Sequence, residues 1–148
     1  MHIAQLRSLT GQEAGLSGWL TVNQLMIDTF AGITGDDQWI HTDPERARTD
    51  SLYGGTIAHG FLTLSLLSRL SREAVEVEGE FGMRINYGLN RVRFPAPVPV
   101  GSRIRARLKV QSVDDFEGGH QIVWLATVEV EGSEKPALVA EWIIRLYR

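Results

Sequence analysis

The 148-residue chain contains no cysteine. That removes thiol nucleophiles, thiolate metal sites and disulfides from consideration. It also lacks any apolar run near the roughly 18 residues that a membrane helix requires. Its most hydrophobic stretch, Phe61 to Leu67, already carries Thr63 and Ser65. The opening residues, Met1-His2-Ile3-Ala4-Gln5-Leu6-Arg7, do not follow the basic-then-apolar order of a signal peptide. With neither an export signal nor disulfides, a cytoplasmic location is expected. An excess of positive charge is missing as well: 15 basic residues stand against 18 acidic ones, for a net charge of -3. This balance argues against nucleic acid as the main partner. Lysine is nearly absent, because all the basic residues except Lys109 and Lys135 are arginine. Arginine suits fixed anion contacts, although codon bias is the larger cause of the skew.

Several catalytic signatures are absent too. There is no G-x-S-x-G elbow. There is no P-loop, no dinucleotide glycine fingerprint and no H-E-x-x-H pair. Repeats, linkers and low-complexity tracts are lacking, so residues 1–148 are expected to form one domain. The composition, 43% hydrophobic and 22% charged, is that of a globular protein. A chain of this size buries about 68–70% of its unfolded surface and needs no covalent staple.

The first positive signal is Thr21-Val22-Asn23-Gln24, which reads as a capping box with Thr21 as N-cap. Val22, Met26, Phe30 and Ile33 follow at helical spacing, and Gly35 ends the helix. Residues 36–57 read as a long loop, and long ordered loops are usually functional. A second helix is expected from His59 to about Val75. Its residues Phe61, Leu62, Leu64, Leu66, Leu67 and Leu70 point in nearly all directions, the mark of a buried helix. The period then changes to two. Strands are expected over residues 83–94, 103–110, 120–131 and 138–147, with turns at Gly118-Gly119 and between Gly132 and Pro136. Helices followed by an antiparallel meander give an α+β fold. A helix apolar all round needs more cover than one flat sheet face gives, so a curved antiparallel sheet wrapped around it is expected.

Chemistry concentrates in three patches. Residues 30–47 place Asp36 and His41 five positions apart, directly after the first helix. Such a pair can hold one water and move a proton near neutral pH. The plainer reading makes Asp36 a turn residue and His41 a polar loop residue. Asp36, Asp37, His41, Asp43 and His59 also offer hard metal ligands, but without helical ligand spacing no metal is expected. The second patch, Ile57-Ala58-His59-Gly60-Phe61, opens the buried helix. Unpaired amides at a helix start can stabilise a thioester oxygen, while Gly60 can equally serve close packing. His59 reads as a cap or spacer. The third patch is the stripe of Arg91, Arg93, Arg103, Arg105, Arg107 and Lys109. This is either a solvated strand face or a set of coenzyme A phosphate contacts.

The run from Phe30 to Ala47 resembles the hydratase signature of the MaoC-like family. Ala58-His59-Gly60-Phe61-Leu62 resembles its second signature, and residues 90–101 a third. The wording Gln38-Trp39-Ile40-His41 with Asp43-Pro44-Glu45-Arg46-Ala47 is most similar to the branch named after nodulation protein N. The resemblance covers residues 21–101. It implies a hot dog fold, a homodimer, and (R)-specific hydration of trans-2-enoyl-CoA with no cofactor beyond the coenzyme A thioester itself. It further implies that Asp36 and His41 are the catalytic pair and that the Gly60 amide binds the thioester oxygen. Gln38 and Trp39, which replace the commoner Asn and Pro, are expected beside the substrate together with Ser68, Arg91 and Arg93. The rival expectations are a hot dog thioesterase and a non-catalytic acyl-CoA-binding or scaffold subunit.

Overall fold

Four long strands carry the architecture: β3 (Met83–Arg93), β4 (Arg103–Phe116), β5 (Gly119–Val130) and β6 (Leu138–Tyr147). They alternate as the sequence requires. In β4, Ile104, Ala106, Leu108 and Val110 are buried, and in β5 Trp124, Ala126, Val128 and Val130 join them. The β4–β5 hairpin closes at Phe116↔Gly119 and runs antiparallel down to Ile104↔Val130. Two short strands, β1 (Glu13–Leu16) and β2 (Leu20–Thr21), pair with the outer edge of β4. The order is β1-β4-β5-β6-β3, with β2 also on β4. The computed structural model describes residues 1–148.

Five helices accompany the sheet: α1 (Ile3–Ser8), α2 (Gln24–Thr34), α3 (Trp39–Thr42), α4 (Pro44–Asp50) and α5 (Gly60–Ala74). The N-cap of α2 is Asn23, whose side chain accepts from the Met26 amide, and not Thr21. The reason is non-local: Leu20 and Thr21 are held extended against Ile104 and Arg103, so the helix cannot begin until the strand is released. Gly35 stops α2 as expected, in a left-handed conformation at φ 75°. The expected loop at 36–57 contains α3 and α4. Asp43 caps α4 by accepting from the Arg46 amide, and Pro44 takes the first helical position, where a missing N–H costs nothing.

The expected wrap does not occur. The sheet is open, its terminal strands β1 and β3 are not paired with each other, and it is neither closed nor strongly curled. Helix α5 is amphipathic instead of buried all round. Only Leu62, Thr63, Leu67 and Leu70 are buried, while Phe61 is 68% exposed. Ser65, Ser68 and Arg69 lie on the exposed side. The helix rests one stripe on β4, β1 and β6, so a single sheet face is cover enough. Gly15 permits the closest approach, since a Cβ there would collide with the Ala74 carbonyl oxygen.

The entry to α5 is pinned by backbone pairing. Ala58 N–H donates to the Val98 carbonyl and Val100 N–H to the Thr56 carbonyl, 2.8 and 2.9 Å respectively. The proline-bounded segment after β3 therefore fixes where α5 begins. Gln24 ties this region to the first helix: its amide donates to the His41 carbonyl at 2.7 Å and its oxygen accepts from the buried Thr56 hydroxyl at 2.5 Å.

Candidate active site

Asp36 and His41 reach one point from different elements. The left-handed turn at Gly35 swings the chain off α2 and delivers Asp36 to the surface. His41 sits in the short helix α3 and is 6% exposed. A carboxylate oxygen of Asp36 and a ring nitrogen of each of His41 and His59 lie within 4.8 Å of one another. A water hydrogen-bonded to two groups at about 2.8 Å spans roughly 4.5 Å between them, so Asp36 and His41 are close enough for one water to contact both.

The partners of each ring fix its tautomer. His41 Nδ1 lies 2.7 Å from the Ile57 carbonyl oxygen, which only accepts, so Nδ1 carries the proton. That leaves the Nε2 lone pair of His41 free. Burial is the largest influence on this ring and lowers its pKa below 6.5. The Ile57 hydrogen bond opposes that effect, His59 adds to it, and the Asp36 carboxylate opposes it. By distance alone Asp36, His41 and His59 form a metal-ligand trio. By orientation they do not: the two imidazoles are stacked with centroids 3.8 Å and planes 24° apart, so no single ion can lie in both ring planes at bonding distance.

Gly60 opens α5 immediately after His59. The first intrahelical bonds run from the Leu62 and Thr63 amides to the His59 carbonyl, and the Gly60 and Phe61 amides have no backbone acceptor. The Phe94 ring packs over Gly60 so closely that an added Cβ would lie 3.1 Å from it. Gly60 thus has an amide without a backbone acceptor and a side-chain ring packed against it. A cavity of about 230 Å³ opens beside it, lined by Tyr53, Ile57, Phe94 and Val98 among others.

The remaining expected residues divide. Gln38 sits beside the carboxylate, its amide 3.5 Å from Asp36 Oδ1. Trp39 is half-buried, with the Arg46 guanidinium 4.3 Å above its ring. Ser68 lies about two turns along α5 from Gly60, roughly 12 Å away, and is therefore not beside the reacting groups. It lines a second cavity of about 140 Å³ with Val75, Trp142 and Leu146, and faces Asn86 Nδ2 at 3.4 Å.

The arginine stripe is mostly committed elsewhere. Arg105 and Arg107 both donate to Glu129, at 2.7 and 2.9 Å, and Arg107 also pairs with Glu13. Arg103 pairs with Glu131. Burial raises the pKa of Glu129, and the Arg105 and Arg107 hydrogen bonds outweigh it, holding the carboxyl below its usual range. These three arginines form a cross-strand ion-pair ladder on the solvated face. Arg91 and Arg93, on the edge strand β3, are exposed and make no salt bridge. Arg93 donates only to the Val92 carbonyl.

Residues 5–132 match the MaoC like domain. The chain belongs to this family. Among its MaoC-like relatives, 3-hydroxyacyl-thioester dehydratase Z of Mycobacterium tuberculosis (strain ATCC 25618 / H37Rv) is 53% identical over 144 residues, covering 97% of this chain and 94% of its own length. Nodulation protein N of Rhizobium leguminosarum bv. viciae is 50% identical over 145 residues, covering 97% and 89%. Among solved structures, the (R)-hydratase from A. caviae involved in PHA biosynthesis superposes with a TM-score of 0.71 at 24% identity, over 91% of this chain and 94% of that one. The fold is accordingly of the hot dog type. No helix of this MaoC-like chain is long and apolar enough to cross a membrane.

Proposed function

We propose that this protein is a carbon–oxygen lyase that adds water reversibly to trans-2-enoyl-CoA, giving (3R)-3-hydroxyacyl-CoA. The observation that carries this reading is the Asp36 carboxylate within 4.8 Å of a ring nitrogen of His41, an imidazole whose Nε2 lone pair is free. It sits in a chain 53% identical to a 3-hydroxyacyl-thioester dehydratase, and dehydration is the same reaction run backwards.

In the hydration direction, Asp36 accepts one hydrogen bond from the water and orients it. His41 Nε2 takes the other proton as the water oxygen bonds to the β-carbon and the carbon–carbon π bond breaks. The electron pair moves through the α-carbon to the thioester oxygen, where the Gly60 amide meets the developing charge. The His41 imidazolium then returns its proton to the α-carbon. One water is added, and both groups end as they began. The acyl tail runs along α5 past Ser68, and Arg91 and Arg93 meet the coenzyme A phosphates.

The working unit is a homodimer. Strand β3 leaves one edge unpaired and carries Met83, Ile85, Tyr87 and Leu89, which are 50%, 37%, 53% and 41% exposed. An apolar strand at an open edge invites a second copy. The hydratase reading is tested by giving the purified protein crotonyl-CoA and a longer enoyl-CoA, following conjugated absorbance and free thiol together. Loss of absorbance without thiol is expected; thiol release without alkene loss makes the protein a thioesterase, and neither change makes it a binding subunit.

A further inference from the structure

His59 is 3% exposed, and its Nδ1 is the only buried side-chain nitrogen or oxygen in the protein without a hydrogen-bond partner. The residue stands at the N-cap of α5, yet its side chain makes no capping bond. The ring turns the other way. Its Nε2 lies 2.8 Å from the Asp36 carbonyl oxygen, which can only accept, so Nε2 carries the proton and donates. The ring also lies against His41, centroids 3.8 Å apart, with Phe30 packed at 5.0 Å.

A ring needed only for packing is better made apolar, because a buried lone pair left unmet destabilises the fold. The imidazole must therefore supply something that a hydrocarbon cannot, and the bond to Asp36 is the one polar contact its side chain makes. Asp36 needs such a tie. It is exposed, its own amide reaches only the Thr34 hydroxyl at 3.3 Å, and its carboxylate meets only the Gln38 amide at 3.5 Å.

We propose that His59 is a positioning residue, one buried ring that sets the spacing between the Asp36 carboxylate, the His41 imidazole and the Gly60 amide. This rests on the reading of Asp36 and His41 as the water-activating pair. Neighbouring Gly60 follows His59 directly in the chain, so whatever fixes the His59 ring to Asp36 also fixes the helix start relative to the acid. A misplacement of about 1 Å between reacting groups costs about 100-fold in rate.

Two substitutions separate the bond from the stack. His59→Phe keeps a ring against His41 and loses the donor. His59→Gln loses the ring and keeps an N–H the same number of bonds from Cα. With enoyl-CoA as substrate, His59→Phe should lower kcat by about 100-fold with KM within about threefold of wild type. His59→Gln should recover at least about tenfold of that loss. A His59→Phe variant as fast as wild type, a His59→Gln variant as slow as His59→Phe, or a loss carried by KM overturns the proposal. Nitrogen-15 NMR of the unsubstituted protein needs no variant to fold and no turnover. His59 should show the Nε2–H tautomer and His41 the Nδ1–H tautomer. A His59 protonated at Nδ1 alone overturns the positioning role. The expected tautomers in a protein inactive on every enoyl-CoA support the positioning geometry and overturn the hydratase reading instead.

Discussion

The imidazoles of His41 and His59 lie face to face, with centroids 3.8 Å apart and planes 24° from parallel. Each gives its one N–H to a backbone carbonyl, His41 to Ile57 and His59 to Asp36. The stack presents a neutral, oriented base beside an exposed carboxylate, and its members come from α3 and from the N-cap of α5.

The first consequence concerns pH. Burial, the largest cause, lowers the His41 pKa below 6.5, so His41 stays an available base where an ordinary histidine is half-protonated. The acid limb of kcat/KM should therefore have its midpoint below 6.5, and a midpoint at or above 6.5 contradicts the arrangement. Stability follows the same sign. Between the lowered folded pKa and 6.5 the unfolded chain binds more protons than the folded one, so stability falls as pH drops through that window. Above 6.5 the His41 contribution is fully present.

Gly60 combines an open amide with close packing, and a double substitution separates them. Gly60→Ala puts a methyl 3.1 Å from the Phe94 ring, which must give by a few tenths of an ångström. Phe94 is 40% exposed and has room to move, so the melting temperature should change by only a few degrees, corresponding to about 1 kcal/mol or less. Turnover should fall at least about tenfold if, as proposed, the amide that the methyl crowds meets the thioester oxygen. Adding Phe94→Ala should relieve the packing without restoring turnover. Restored turnover would assign Gly60 to packing alone.

The arginines divide into two groups with opposite expectations. Arg103, Arg105 and Arg107 are satisfied by Glu131, Glu129 and Glu13, so replacing any one with Ala should leave the KM for acyl-CoA unchanged. Arg105→Ala should cost stability by about 0.2–1 kcal/mol, as partly exposed ion pairs do. Arg91→Ala or Arg93→Ala should raise KM by up to about tenfold, the worth of one charge-assisted contact. A rise on the ladder side and none at Arg91 or Arg93 would move the coenzyme to the other face.

The open edge of β3 predicts the assembly. Sedimentation should give a particle of twice the 16.5 kDa chain mass. Ile85→Lys combined with Leu89→Lys should give monomers, because lysines on an edge strand oppose pairing. A monomeric wild-type protein rules out this interface.

The strands were legible in the sequence because their pattern is local: Ile104, Ala106, Leu108 and Val110 alternate with charged residues whatever their neighbours do. Gly35 was legible for the same reason, as a left-handed stop after an apolar stripe. Features fixed by distant residues were not. Thr21 looked like a cap until its pairing with Arg103 held it in a strand. The leucines of α5 suggest a need for cover on all sides, but Ser65, Ser68 and Arg69 leave one side open, so no wrap forms. Helix α3 spans only Trp39–Thr42, too short for any periodic signal. Helix α4 instead carries a start signal, Asp43-Pro44, a capping residue followed by proline. Residue type and spacing mark Asp36 and His41 as a candidate pair, and only the resemblance to the MaoC-like signature favours that over the plainer turn-and-loop reading. The side-chain bonds behind them, to carbonyls 16 and 23 residues away, have no local trace.

The most direct test of the account is enoyl-CoA hydration by Asp36→Asn and His41→Gln beside the unsubstituted protein, read by loss of conjugated absorbance with folding checked by circular dichroism. Each variant should keep its fold and lose activity by at least about 100-fold, the contribution of a positioned acid–base group. Near-wild-type rates in both folded variants would contradict the account.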